Sequence, residues 1–596
     1  MRVADFIFKF LADRGARHVF MVTGGGAMFL NDAVRCEKRL TPIFNQHEQA
    51  SAMAAEGYVR AGNGMGVVSV TTGPGGTNTL TGVIGQWLDS VPVIYISGQV
   101  KFSTTIMSCP GIGLRQLGDQ EINIIDIVRP VTKYVSAVLD AKEIKRELEK
   151  ALHIAYSGRP GPVWLDIPIN VQNAVADEVD MFPCDSFPDA VAGPTPEETR
   201  SVVTALKVAK RPAIIAGHGI RLAGAQREFL SLVELMNIPV LTTFNGIDLI
   251  PSDHPCFAGR IGTIGNRAGN FVLQSSDLLL SIGSRNNLRQ ISYNWENFGR
   301  QAKKIVVDID PAELEKPTLR PDIAICADAG AFIAALSRET EEDNFCVSSE
   351  WQEWCHERVR RFPLTPPHLP KDNGVDVYYF MEVLSSRVPV GVPIIAGNGT
   401  ACVALFQSAR VKNGQRIFWN SGCASMGFDL PAALGAATGG GKAVCVAGDG
   451  SIQMNLAELQ TILNHKLSVK LFILDNNGYS SIRQTQTSFF KGEKIGCDPS
   501  SGLCLPDMVK IGNAFGYRTF VADREGALPT LIDSVLEGDA PALCVVRIGE
   551  NEFAPKLSSR VRPNGTIISS SLEDLYPFLT QEEIAGNMIY GKDGAG

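Results

Sequence analysis

A strand of small apolar residues, 443–447, runs without a break into Gly448-Asp449-Gly450-Ser451. Leucines follow at 456, 459, 463 and 467, a spacing that places them on one helical face. A second apolar strand, 469–474, then ends in Asp475-Asn476-Asn477-Gly478. Strand, helix and parallel strand are joined right-handed in nearly all sheets, so both strand ends emerge at one edge. Ligands of α/β domains bind at that edge. This stretch is therefore confined to a βαβ unit, with Asp449 and Asn477 side by side at the edge. A carboxylate and an amide oxygen are hard ligands, few in number. They suit Mg2+, which keeps its other positions for water and phosphate oxygens. A turn Asp in GDG and a turn Asn-Gly are each commonplace alone; both at the ends of one unit carry the meaning.

The same alternation of short apolar runs with amphipathic helices extends along the chain and predicts parallel α/β domains. Residues 173–200 and 337–374, rich in Pro, Asp and Ala or ending in RRFPLTPPHLPKDNG, break the rhythm and read as linkers. They leave blocks at 1–172, 195–337 and 375–560, with a tail at 561–596, and no short internal repeat. The first block has its own glycine-rich strand end: the run 66–72 stops at Gly73-Pro74-Gly75-Gly76. Two such ends in separate blocks point to one phosphate-bearing ligand held between them.

With 55 Lys+Arg against 63 Asp+Glu, the formal charge is −8, and no block is dense in cations. Nucleic acid and anionic membranes are thereby excluded as main partners. No apolar run approaches the roughly 18 residues that cross a bilayer. The opening MRVADFIFKFLADRG has acids within its apolar stretch and no small-residue cleavage site, so it does not read as a signal peptide. The 13 cysteines are scattered, with no CxxC pair. Most, like Cys445 in AVCVAG, sit where reduced thiols are the rule. Cys497 and Cys504 share a Gly/Ser-rich loop, yet read as thiols of a cytoplasmic protein.

GDGS followed about 25 residues later by Asn-Asn resembles the diphosphate-anchoring motif of thiamine diphosphate enzymes. The resemblance implies an α/β fold of three doubly wound parallel-sheet domains: pyrimidine-binding, central and diphosphate-binding. It implies Mg2+ at Asp449, Asn477 and Tyr479, with Gly448, Gly450 and Ser451 at the diphosphate. Thiamine chemistry also needs a carboxylate at N1′ of the aminopyrimidine. FNQHEQASAMAAEGYVRA is similar to the family's segment, with Glu48 in the matching place. An acid favoured by a helix dipole looks the same in isolation; its company decides. Gly73-Pro74-Gly75-Gly76-Thr77-Asn78, Asp89-Ser90-Val91-Pro92-Val93, Ser97-Gly98-Gln99, Gly158-Arg159-Pro160-Gly161-Pro162-Val163 and Ala424-Ser425-Met426-Gly427-Phe428 fall in the order of the acetolactate synthase large subunit. That match marks Gly25, Gly73, Pro74, Asn78, Gly397, Asn398 and Gly399 as cofactor-binding. It makes Met426 the wedge between the cofactor's rings and puts Gln120 near the reacting carbon.

The middle block resembles the one that binds FAD in acetolactate synthase, through Gly217-His218-Gly219, RIGTIGNR at 260–267, Gly283-Ser284-Arg285, Val307-Asp308-Ile309-Asp310 and Ala327-Asp328. The implied FAD contacts are Gly217, Gly219, Gly262, Thr263, Arg285, Asp310 and Asp328, with Arg159 reaching the flavin. Related enzymes hold ADP or nothing there. GxGxxG is absent, so a nicotinamide dehydrogenase is unsupported.

The chain departs from acetolactate synthase where the second substrate is chosen. Thr485 stands near the place of an acceptor-pocket tryptophan, Gly397-Asn398-Gly399-Thr400 replaces GQHQ, and Asp119 replaces a phenylalanine. NNGYSSIRQTQ and the tail after Pro555 are similar to flavoproteins that transfer an acetyl unit to keto-sugars. Arg483 reads either as a clamp for an acceptor phosphate or carboxylate or as a surface arginine, and residues 553–579 as a cap. The expected reaction is decarboxylation of a 2-oxo acid such as pyruvate, with Glu48 activating the cofactor, followed by acyl transfer to a carbonyl acceptor. Alternatives are a true acetolactate synthase, a decarboxylase or oxidase without ligation, and a catalytically dead relative. The family implies a homodimer or homotetramer, since one subunit's Glu48 domain meets another's diphosphate domain.

Overall fold

The computed structural model describes residues 1–187, 191–343, 345–367, 374–548, 556, 558–561 and 564–590. Strands β1 (His18–Met21), β2 (Thr41–Phe44), β3 (Gly66–Val70), β4 (Val93–Gln99), β5 (Tyr134–Ala137) and β6 (Val163–Pro168) form a parallel sheet in the order β2-β1-β3-β4-β6-β5. The central sheet takes β7 (Pro212–Ala216), β8 (Val240–Thr242), β9 (Phe257–Arg260), β10 (Leu278–Ile282), β11 (Lys303–Asp308) and β12 (Ile323–Cys326), ordered β12-β11-β10-β7-β8-β9. The third has β13 (Ile394–Ala396), β14 (Ile417–Phe418), β15 (Lys442–Gly448), β16 (Ser468–Asp475), β17 (Arg518–Ala522) and β18 (Ala542–Arg547), ordered β14-β13-β15-β16-β18-β17. Counted within each sheet, the first and third share one topology, 2-1-3-4-6-5, although no sequence repeat announces it. The central order is that of a dinucleotide-binding sheet. Inner strands such as β3, β4 and β6 are buried along their whole length, as helices on both faces require.

The first and third domains share one core, joined where helix Glu48–Arg60 crosses helix Asp429–Ala437. Alanine and glycine line the crossing and let the backbones meet. A Cβ on Gly57 would lie 2.0 Å from the Ala432 carbonyl oxygen, and one on Gly435 1.8 Å from that of Ala54. Neither backbone atom can yield cheaply. Gly57→Ala or Gly435→Ala is expected to cost about 1–3 kcal/mol or more, read as a lowered Tm; an unchanged Tm would contradict this packing.

Two stretches differ from expectation. Beyond residue 337 the chain is not all linker: helix Ser349–Arg361 buries Trp351, Cys355 and Arg358, spaced i, i+4, i+7, against the central domain. The tail also docks on that domain. Glu573 accepts from Gln274 at 2.7 Å and pairs with Arg300 at 2.8 Å, while Ile584 and Met588 pack on Phe271. Within the expected cap, Lys556 reaches Gln484 on the helix after the Asn-Asn turn. Residues 553–555, 557 and 562–563 of that segment lie outside the described residues. Cys497 and Cys504 are both free thiols. No described helix is long and apolar enough to cross a membrane.

Candidate active site

In the first and third sheets the strand order reverses between the first and third strands, where ligands of open α/β sheets bind. On the first sheet, Glu48 opens helix Glu48–Arg60 and is 9% exposed. Its Oε2 accepts a hydrogen bond from Asn78 Nδ2 at 3.0 Å. Asn78 closes the short helix Pro74–Thr77, whose cap Gly73 has φ +67°. A Cβ on Gly73 would stand 2.5 Å from the Gln120 carbonyl oxygen, and Gln120 itself has φ +62°. Such left-handed backbone in a non-glycine residue collects at functional sites. The fold thus gathers Glu48, Asn78, Gly73, Pro74 and Gln120 at one edge. After β1, Gly24 and Gly26 press on Thr71 and Thr72, whereas Gly25 between them faces open space within 4 Å. Bare backbone there admits a ligand's close approach.

The third sheet mirrors this. Gly397 follows β13, where a Cβ would lie 2.0 Å from Asp429 Oδ2. Asn398 and Gly399, the latter at φ +99°, lead into helix Thr400–Ser408. Asp429 is buried, which pushes its pKa up to about 6. It accepts from Ser451 Oγ at 2.5 Å, and Ser451 Oγ accepts from Gly427 N at 2.8 Å. That chain ties half-buried Met426 to the GDGS turn. Gly450 must be glycine, for its Cβ would meet the Tyr479 ring at 2.1 Å; Gly448 faces open space.

Asp449 is buried, with Oδ2 aimed at the turn after β16. Oδ1 accepts from Gly450 N at 2.8 Å and Oδ2 from Gly478 N at 2.9 Å. Burial nonetheless raises its pKa above the usual carboxylate range, and a cation would offset that desolvation. The two asparagines of that turn differ in burial. Asn476 is 6% exposed and its Oδ1 is buried without a hydrogen-bond partner. Asn477 is exposed, at φ +60°. A desolvated carboxylate beside a turn with an exposed amide fits a Mg2+ site built from Asp449 and Asn477. Tyr479 forms a wall: its ring covers Gly450 and its N–H donates to the Cys497 carbonyl at 2.8 Å. Arg483 is no surface residue. It is buried, bonded to the Asn476 carbonyl oxygen and paired with Asp498.

The central sheet holds a cavity of about 440 Å3 at the β7/β10 reversal. Gly217 and Gly219 lie against Gly283, where added Cβ atoms would stand 2.2 and 2.7 Å from its backbone. Arg159, Gly219, Arg285 and Asp328 line the cavity, whereas Gly217, Gly262, Thr263 and Asp310 do not. Thr263 Oγ1 is committed to the Arg289 carbonyl at 2.8 Å. Asp310 caps helix Pro311–Glu315 and holds Arg159 at 3.0 Å. Two lining groups had no assigned role: His218, whose Nδ1 is orphaned and which burial keeps neutral, and Asp308, which burial pushes up to about 6. Dipolar and titratable groups at the edge of a dinucleotide-type sheet fit a nucleotide cofactor. Asp89, also at the cavity, joins the three domains through Arg60 at 3.3 Å, Asn245 at 3.4 Å and the Ser421 N–H at 2.7 Å.

Comparison with known proteins agrees with this geometry. Residues 1–124 match the profile "Thiamine pyrophosphate enzyme, N-terminal TPP binding domain", 199–336 the central domain, and 397–546 the C-terminal TPP binding domain. Acetolactate synthase isozyme 2 large subunit of Escherichia coli is 32% identical over 588 residues, 96% of this chain and 100% of the relative. Acetolactate synthase 1, chloroplastic, of Zea mays is 32% identical over 92% of this chain and 86% of its own length. The acetolactate synthase large subunit of Lactococcus lactis is 29% identical over 92% and 93%. With three domain profiles in order and near full-length relatives, the chain belongs to the thiamine pyrophosphate enzyme family, as an enzyme resembling the acetolactate synthase large subunit.

Proposed function

We propose that this enzyme decarboxylates pyruvate, or a close 2-oxo acid, and transfers the acyl unit to a carbonyl acceptor, a keto-sugar fitting the pocket's departures. The observation that carries it is buried Glu48, fixed by Asn78, and Asp449, bonded to the turn after β16, at matching edges of two topologically equivalent sheets. Thiamine diphosphate, when bound, supplies the electron sink that lets CO2 leave. Glu48 would take and return one proton at its carboxylate. Asp449 and Asn477, with Tyr479, would hold Mg2+. Gly25, Gly73, Gly397 to Gly399, Gly448, Gly450 and Ser451 would admit the cofactor, Met426 would support it, and Gln120 would stand near the substrate. The acceptor reading rests on Asp119 and Thr485, both exposed and polar where the acetolactate synthases of the resemblance carry aromatic rings.

Domain limits near 1–172, 195–337 and 375–560, the central one extended by helix Ser349–Arg361, complete the reading. FAD in the central cavity accounts for Arg159, Arg285 and Asp328 there. A homodimer or homotetramer, with each site shared between copies, accounts for apolar groups left exposed around the half-sites: Met28 at 50%, Phe44 at 44%, Ile112 at 67% and Phe490 at 61%. The compartment is cytoplasmic.

The test is product identification by mass, with pyruvate alone and with an added keto-sugar nucleotide. Fast turnover confined to the second case is expected. Fast acetolactate formation from pyruvate alone would make it an acetolactate synthase, and aldehyde without a ligated product would overturn the transfer step. Purified protein is expected to be yellow from bound flavin, and Arg159→Ala to lose that colour; a colourless wild type would contradict the flavin assignment.

A further inference from the structure

The turn that carries Gln120 is held from several sides, and the main holder, Glu121, has no part in the reading above. Glu121 is 4% exposed, and its carboxylate is taken up by backbone donors. Oε1 accepts from Ile106 N at 2.6 Å, and Oε2 from Leu117 N at 2.9 Å and Gly118 N at 3.3 Å. One side chain thereby ties the outgoing arm of the loop to its return. Gln116 Nε2 donates to the Glu121 carbonyl oxygen at 3.1 Å. Gly118 is backed onto the outgoing arm, where an added Cβ would stand 2.6 Å from the Thr104 carbonyl oxygen. From the sheet, buried Gln99 at the end of β4 donates through Nε2 to the Ile122 carbonyl oxygen at 3.0 Å and to Asp166 Oδ2 on β6 at 3.1 Å.

Between these fixed points stands Gln120, with φ +62° and its carbonyl oxygen against Gly73. Left-handed backbone in a non-glycine residue is costly and persists only where the surroundings over-determine it. Here they do, through the Glu121 carboxylate on one side and its donors Leu117 and Gly118 on the other. The pinning does not serve to bury Gln120, which is exposed. Strained backbone fixed by buried groups, with the side chain left outside, fits a group presented to a ligand. The ligand's place is given by Gly73: it caps helix Pro74–Thr77, which leads to Asn78, the partner of Glu48. We propose that Glu121 is a positioning residue for the 2-oxo acid, holding the turn that sets Gln120 at the reacting centre. The inference rests on the reading of Gln120 as a residue beside the substrate.

The test is CO2 release from pyruvate by full-length protein at saturating thiamine diphosphate and Mg2+, in wild type, Gln120→Ala, Glu121→Gln and the double variant. The isostere is informative because the two carboxylate oxygens accept from different stretches of backbone. A glutamine has one acceptor oxygen and turns an NH2 donor toward the remaining N–H groups, so the turn must open on one side. Displacing a reacting group's support by about 1 Å can cost roughly 10²-fold in rate. Glu121→Gln is expected to lose about tenfold or more, up to roughly that figure, in kcat/KM for pyruvate, with calorimetric thiamine diphosphate affinity unchanged. Added to Gln120→Ala, the same substitution is expected to cost less than about twofold, because it acts through a side chain already removed. Wild-type kcat/KM in Glu121→Gln overturns the proposal. So does an equal loss in both backgrounds, or a matching loss of cofactor affinity, either of which would make Glu121 structural alone. If Glu121→Gln does not fold, Glu121→Asp, one methylene shorter, decides on the same criteria. Gln120→Ala at wild-type kcat/KM would sink the placement of Gln120 itself, a result distinct from failure of the Glu121 variants.

Discussion

Glu48→Gln is expected to lower kcat by roughly 10²–10⁴-fold, the usual worth of a positioned proton-transfer group, while cofactor affinity changes little. The substitution isolates the chemistry because it is nearly isosteric. A glutamine Oε1 still accepts the Asn78 N–H, now 3.0 Å from Glu48 Oε2. The start of helix Glu48–Arg60, capped by the His47 side chain on Gln49 N at 3.1 Å, is untouched. Only the capacity to take and return a proton is lost. Steady-state kinetics beside calorimetric thiamine diphosphate binding separate the outcomes. Full turnover in Glu48→Gln would remove Glu48 from the mechanism, and loss of binding with turnover would make its role structural.

The second large effect separates two adjacent asparagines. Asn477→Gly is expected to weaken Mg2+ binding by more than the roughly 10–100-fold typical of outer-shell changes, and thiamine diphosphate affinity should fall with it. Glycine is the right replacement, because Asn477 sits at φ +60°, where an alanine would add backbone strain of its own. Asn476→Ala, at a buried side chain, is expected to cost no more than that outer-shell range. The reverse pattern would move the metal to Asn476.

That pair also marks where the sequence stops being informative. The βαβ unit was legible because its two strand ends are local, but its helix is shorter than the leucine spacing predicts: it runs Glu458–Asn464, leaving Leu456 and Leu467 outside, and buries Leu459 and Ile462. Which of two consecutive asparagines turns inward depends on the twist at the end of β16 and on the loop around Cys497, some twenty positions later in sequence. Spacing alone carries no such information. The same holds for Arg483, whose loop-like context hid a buried partner 15 positions on, at Asp498. In the central block, acids at strand ends were visible, but Asp310 is turned to cap a helix and to hold Arg159, while Asp308 lines the cavity. The shared topology of the first and third sheets left no trace as a repeat, because topology is set by pairing order and tolerates complete divergence of side chains. Residues 349–361 failed as linker because their two tryptophans and cysteine form a short stripe, obscured by the prolines that follow.

The most direct test of the central claim is CO2 release from pyruvate by purified full-length protein, measured with and without added thiamine diphosphate and Mg2+ after both have been stripped. Release that requires both, in step with a ligated product, is expected. No release from pyruvate or other 2-oxo acids, or release indifferent to the cofactor and the metal, would contradict it.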